Sequence, residues 1–179
     1  PIIYELDDLL FDLPETHHHR LEEAYLNALL PMLSAIIEAD LVTVPTEALK
    51  HALLDFNPNI QVLPNYLDDS IWQLREPKVR KDGPLTIGFM GSNSHTPDLD
   101  IIAPVIKSLL VKHENKLTFK VIGTPLPSSL EGTQGVEWQA SPSNTYVDFA
   151  KFFQTQDFDI FIAPLAENLF NSCKSNLKF

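Results

Sequence analysis

The sequence predicts an α/β protein made of doubly wound parallel sheets, with the chain divided into two units and the first of them incomplete at its N-terminal side. Three observations predict it. Short, nearly continuous apolar runs such as Leu41-Val42-Thr43-Val44, Leu85-Thr86-Ile87-Gly88-Phe89-Met90 and Ile160-Phe161-Ile162 alternate with stretches of helical periodicity. That rhythm implies buried strands joined by right-handed helical crossovers, hence parallel pairing. Charge is uneven, with 15 acidic and 6 basic residues in 1–84 against 9 and 7 in 85–179. Between the halves, Arg75-Glu76-Pro77-Lys78-Val79-Arg80-Lys81-Asp82-Gly83-Pro84 is polar and carries two prolines and a glycine, so 74–84 reads as a linker between domains 1–73 and 85–179.

Each element has a local reason. Ile2-Ile3-Tyr4-Glu5-Leu6 is a short apolar strand that ends at Asp7-Asp8. Leu21, Ala24, Tyr25, Ala28, Leu29, Met32 and Ile36 recur at helical spacing, and Pro31 within them predicts a kink or a break. After the strand at 41–44, Thr46 caps a helix over 47–54 with Glu47 in its first turn. A strand at 60–63 closes on Pro64-Asn65. The second half repeats the pattern: strand 85–90, loop 91–96, and a helix from 98 to 113 that starts late or bends at Pro104. Strands at 118–123 and 136–138, a helix from Thr145 to 153 and a strand over 159–164 complete it. Ser172 or Ser175 would cap one more helix. The chain opens on a strand already under way and stops without a helix cap, so it is expected to be a fragment of something longer.

Composition narrows the function classes. With 44% hydrophobic residues the chain can bury a core. A net charge of −11 argues against nucleic acid as a partner, because phosphates must be met by many basic side chains. The single cysteine, Cys173, cannot form an internal disulfide, and no apolar run approaches the roughly 20 residues that span a bilayer. A cytoplasmic location follows as the expectation, compatible with peripheral contact at the inner membrane face.

Two loops carry the chemistry. Gly88-Phe89-Met90-Gly91-Ser92-Asn93-Ser94 leads from strand to helix through small residues, a setting in which backbone N–H groups and a helix dipole suit a diphosphate. It equally suits a tight turn with no ligand, being neither the three-glycine dinucleotide fingerprint nor a Walker loop. Phe170-Asn171-Ser172-Cys173-Lys174-Ser175-Asn176 follows the last strand, where ligands of open α/β sheets collect, and Lys174 could neutralise a phosphate or simply be solvated. Asp7-Asp8, again at a carboxyl edge, could orient a substrate hydroxyl, accept a proton or hold a metal, or cap a turn. Three consecutive histidines, His17-His18-His19, point in different directions on a helix and read as its solvated start rather than a metal site. Cys173 has no assignable base and reads as a packing residue.

Taken in order, these landmarks resemble the GT-B glycosyltransferases, specifically the nucleotide-sugar-dependent group known as family four, or glycosyl transferases group 1. Tyr4-Glu5-Leu6-Asp7-Asp8-Leu9 is similar to the late N-domain strand. Ala39-Asp40-Leu41-Val42-Thr43-Val44-Pro45-Thr46 is similar to that domain's last strand segment, and Val62-Leu63-Pro64-Asn65-Tyr66-Leu67-Asp68 to its pre-linker Asn and Asp. The run from Ile87 to Ser92 resembles the opening strand and glycine loop of the donor domain, and Asp159 to Pro164 with Phe170-Asn171 and Lys174-Ser175 resembles the approach to the donor loop.

The resemblance implies two Rossmann-like domains, acceptor-side and donor-side, and transfer of a sugar from a nucleotide-diphosphate donor to a saccharide, lipid or protein acceptor. Such transfer usually proceeds with retention and without an obligatory metal or other cofactor. It implies that Gly91, Ser92, Asn93 and His95 lie by the diphosphate and Gly123 towards the nucleoside. Phe170, Asn171, Ser175 and Asn176 would line the substrate, with Asp7 and Lys174 catalytic, and 91–95 and 170–176 would form one diphosphate site. The sequence departs from the family in three places. Cys173 stands at the first position of the Glu-x7-Glu loop, no Arg or Lys follows the glycine loop, and Asp7 stands where many relatives have histidine. The competing expectation is a non-catalytic α/β binding or scaffolding module derived from such a transferase.

Overall fold

A computed structural model of the chain describes residues 1–73, 82–141 and 145–177. It is an α/β protein with two all-parallel sheets of Rossmann-like character, and the chain divides into two compact units, Pro1–Tyr66 with Glu167–Phe179 and Leu67–Ala166. Most of the expected linker, 74–81, lies outside the described residues.

The first unit holds strands β1 (Ile3–Glu5), β2 (Leu41–Val44) and β3 (Ile60–Val62), side by side in chain order. Helix α1 (Glu23–Glu38) connects the first two and α2 (Glu47–Leu53) the next two. Val42 and Val44 are fully buried, as are Ile36 of α1 and Leu49 and Leu53 of α2; with Leu6, Leu9 and Leu13 they make one apolar core. Burying a side chain of this size contributes about 1.5–3 kcal/mol. Pro31 does not break α1, which runs unbroken through it. Pro31 and Asn27, whose carbonyl it leaves unpaired, are both on exposed positions where water can take the bond. The C-terminal end of α1 is closed by a residue from elsewhere. Buried Asn57 donates from Nδ2 to the carbonyls of Ile36 (2.8 Å) and Ala39 (2.9 Å), while its Oδ1 accepts the Asn59 N–H at 2.8 Å.

The second unit orders its strands β6-β5-β4-β7, with β4 Leu85–Gly91, β5 Leu117–Gly123, β6 Val136–Gln139 and β7 Ile160–Ile162. The order reverses at β4, so winding proceeds to both sides of it. Phe89, Phe119 and Val121 of the sheet pack on Leu99, Ala103, Ile106 and Leu110 of α3 (Thr96–Lys112). That helix is entered through a single 3-10 turn at Asn93–His95 and starts with Pro97 in its first turn; exposed Pro104 lies inside it and neither delays nor ends it. Helix α4 (Tyr146–Thr155) is capped by Thr145, whose Oγ1 accepts the Asp148 N–H at 3.1 Å. The units divide between Tyr66 and Leu67, ahead of the expected linker, and residues 71–72 dock on α4: Trp72 Nε1 donates to the Tyr146 hydroxyl at 2.7 Å and Gln154 Nε2 to the Ile71 carbonyl at 2.9 Å.

The last element, α5 (Leu169–Ser172), belongs to the first unit, not to the second as a domain spanning 85–179 would have it. The reason is burial: Phe170 and Cys173 complete the first core, and Thr46 Oγ1 donates to the Cys173 carbonyl at 2.8 Å. Asn168 caps α5 by accepting the Asn171 N–H at 2.8 Å, which replaces Ser172 or Ser175 in the expected role. Asn57→Ala is expected to destabilise the first unit by about 2–3 kcal/mol in urea unfolding, since it strands two helix-end carbonyls in the core.

Candidate functional site

The carboxyl edge of the first sheet gathers polar side chains that are far apart in sequence. Asp7 and Asp8 leave the end of β1, Pro45 and Thr46 that of β2, and Asn65 that of β3; a shallow recess is lined by Asp7, Val44, Pro45, Leu63 and Asn65 among others. Asn65 is the hub. Its Nδ2 donates to Asp7 Oδ1 at 2.6 Å and to Ser175 Oγ at 3.3 Å. An exposed carboxylate, an amide and a hydroxyl therefore stand in a row at the place where open parallel sheets bind ligands. A carboxylate accepts about four hydrogen bonds, so Asp7 keeps capacity for a ligand hydroxyl beside the one it accepts from Asn65.

Lys174 lies alongside. Its Nζ is 3.8 Å from Asp8 Oδ2 and 4.5 Å from the centre of the Phe170 ring, and the side chain is 18% exposed. A carboxylate and an aromatic ring thus hold the ammonium at the site's edge. Asp8 is a lysine partner here rather than a turn cap. Asn171 contributes its N–H to the α5 cap, and Asn176 is exposed. Thr46 ties the group to the scaffold: its Oγ1 accepts the Leu49 N–H at 3.1 Å, capping α2, and donates to Cys173. Burial, then Asp8 and Asp12, push the Cys173 thiol pKa up, so it stays protonated and serves as packing. Neither Asn65 nor Thr46 was expected to line the site: the sequence marks Thr46 as a helix cap, and Asn65 as the polar residue closing a strand and the counterpart of the pre-linker Asn in the resemblance.

The expected site residues are divided between the units. Asp7, Phe170, Asn171, Lys174, Ser175 and Asn176 fall in the first, Gly91, Ser92, Asn93, His95 and Gly123 in the second. In the second unit Gly91 and Gly123 are register partners at the ends of β4 and β5. A Cβ on Gly91 would meet Thr124 Oγ1 at 2.7 Å and His95 Cβ at 2.8 Å, and one on Gly123, at φ +82°, would strike the Gly91 carbonyl oxygen. Both glycines are therefore required by the protein's own packing. Buried Thr124 donates from Oγ1 to the Ser92 carbonyl at 3.0 Å, and its own carbonyl accepts from Trp138 Nε1 at 2.9 Å. His95 Nδ1 lies 2.7 Å from Asp98 Oδ2, while Asp98 Oδ1 accepts the Ala166 N–H at 2.7 Å. This chain fastens the loop after β7 to the start of α3.

The histidines do not start a helix. They form a turn ahead of α1 with rings in contact, 4.9 Å between His17 and His18 and 3.8 Å between His18 and His19. Among the described residues no group of three or more His, Cys, Asp or Glu is arranged to hold a metal ion, and no helix is long and apolar enough to cross a membrane.

Gly123→Ala is expected to cost about 2–4 kcal/mol of stability, combining backbone strain with a clash. Gly132→Ala, also at positive φ but with nothing within 4 Å, should cost about 1–2 kcal/mol. Urea midpoints of the two variants, followed by tryptophan fluorescence, check the ranking.

No family model matches this chain, and no curated protein matches it.

Proposed function

We propose that the chain is part of a glycosyltransferase that moves a sugar from a nucleotide-diphosphate donor to a hydroxyl-bearing acceptor. The observation that carries the reading is the Asp7–Asn65–Ser175 row at the carboxyl edge of a parallel sheet. Alternating acceptor and donor groups match neighbouring hydroxyls of a sugar, which donate and accept at short spacing. Asp7 orients the reacting hydroxyl, and Asn65 fixes the carboxylate's direction. Lys174 neutralises charge on the departing diphosphate, a preset cation being worth most where negative charge grows. Its pairing with Asp8 is loose at 3.8 Å, so a diphosphate can compete for the ammonium. The family resemblance of the ordered motifs supports the donor class.

A second reading, a non-catalytic α/β binding or scaffolding module, is favoured by one observation. The glycine loop of the second unit is accounted for by its own packing against Thr124 and His95.

Calorimetric titration of the chain with UDP- and GDP-sugars separates the two. The transferase reading expects binding of one donor and a loss of roughly 10-fold or more in affinity for Lys174→Ala, the scale of a charge-assisted bond of about 1.5–3 kcal/mol. Equal affinity of both proteins removes Lys174 from the role. Heat with neither donor, while a neutral oligosaccharide still binds, supports the module.

A further inference from the structure

We propose that His17 is a pH-sensitive latch: its neutral ring holds the turn over 14–20 against Phe170 of α5, and charging the ring releases that contact. Two interactions define the neutral form. Nδ1 of His17 accepts the His19 backbone N–H at 3.3 Å, which needs a lone pair that an imidazolium does not have. The same ring meets the Phe170 ring edge-on, centroids 5.8 Å apart and planes at 70°, at the margin of the first core.

The surroundings oppose a positive charge from more than one side. His18 stacks on His17 at 4.9 Å with planes 13° apart, and the His19 ring lies at 5.5 Å. From the C-terminal segment faces Lys174, whose Nζ sits over the other partner of the latch, the Phe170 ring. Asp8, from the loop after β1, acts in the opposite sense, and Glu22 is engaged with His19 at 2.8 Å. Burial first, then His18, His19 and Lys174, hold the His17 pKa below the ordinary 6.5, and Asp8 pulls it back in part. Because the packed state disfavours the proton, the stabilisation is complete above pH 6.5 and is lost as pH falls through the lower midpoint of the packed ring.

The backbone ties of the turn do not depend on the ring's charge. His17 N–H donates to the Pro14 carbonyl at 2.9 Å, Arg20 N–H to the His17 carbonyl at 3.0 Å, and the Arg20 guanidinium to the Leu13 carbonyl. Acid therefore parts the ring from Phe170 while the turn stays formed. The latch is independent of whether sugar transfer is the activity.

The test is a histidine and aromatic NMR titration of the full chain between pH 7.5 and 5, in a window above the ordinary carboxylate range of about 4. His17 is expected to titrate below 6.5, with the Phe170 ring and Lys174 side-chain resonances following the same midpoint. His17→Gln, which keeps an oxygen acceptor for the His19 N–H but carries no charge, should abolish the Phe170 and Lys174 transitions. His17→Phe, which preserves a ring against Phe170, should do the same and serves if the glutamine variant does not fold. Phe170 resonances that stay fixed across the range, or that still titrate in both variants, overturn the latch.

Discussion

Thr46 makes the contact on which the arrangement of the first unit depends. One hydroxyl both accepts the Leu49 N–H and donates to the Cys173 carbonyl, 127 residues away in sequence. The first bond starts α2, and the second pins the returning C-terminal segment to the end of β2. With that segment come Phe170 and Cys173, which close the core, and Lys174 and Ser175, which reach the sheet edge. Neither side chain of the candidate site on this segment would have a fixed address without it, since α5 is one turn long and cannot hold itself folded.

The second unit solves a different constraint, close approach of backbone. β4 and β5 end in paired glycines, which lets the Gly91 carbonyl sit beneath Gly123 and the side chains of Thr124 and His95 fill the space above. Asp98, at the start of α3, then holds His95 with one oxygen and the Ala166 N–H with the other. Glycine at such a position is commonly read as room for a ligand. Here the room is taken by the protein, so the same residue pattern serves packing.

Much of the fold was legible because it follows from local patterning. Apolar runs at 41–44, 85–90 and 160–162 are strands, and Thr46 and Thr145 cap the helices they precede. Pro31 does not break its helix and Pro104 does not delay its own, since both sit where the carbonyl they free can meet water. The site was legible only in part. Asp7, Lys174 and Ser175 stand out as polar residues at strand ends or before a terminus, but their pairing through Asn65 spans 58 and 110 residues. No spacing rule reaches that far, and the same holds for Asn57 closing α1 from 18 residues beyond it. His17 was hidden for a related reason: three like residues in a row suggest a solvated run, whereas one of them turns inward on a ring that arrives from the far end of the chain.

Docking of Trp72 on α4 and of Trp138 on the Thr124 carbonyl puts both indoles of the sequence in the Leu67–Ala166 unit. Intrinsic emission excited at the red edge of the absorption band is consequently a spectroscopic window onto one half of the molecule alone. Melting of the other half is silent in that signal and has to be followed through its tyrosines, Tyr4, Tyr25 and Tyr66, or through backbone dichroism.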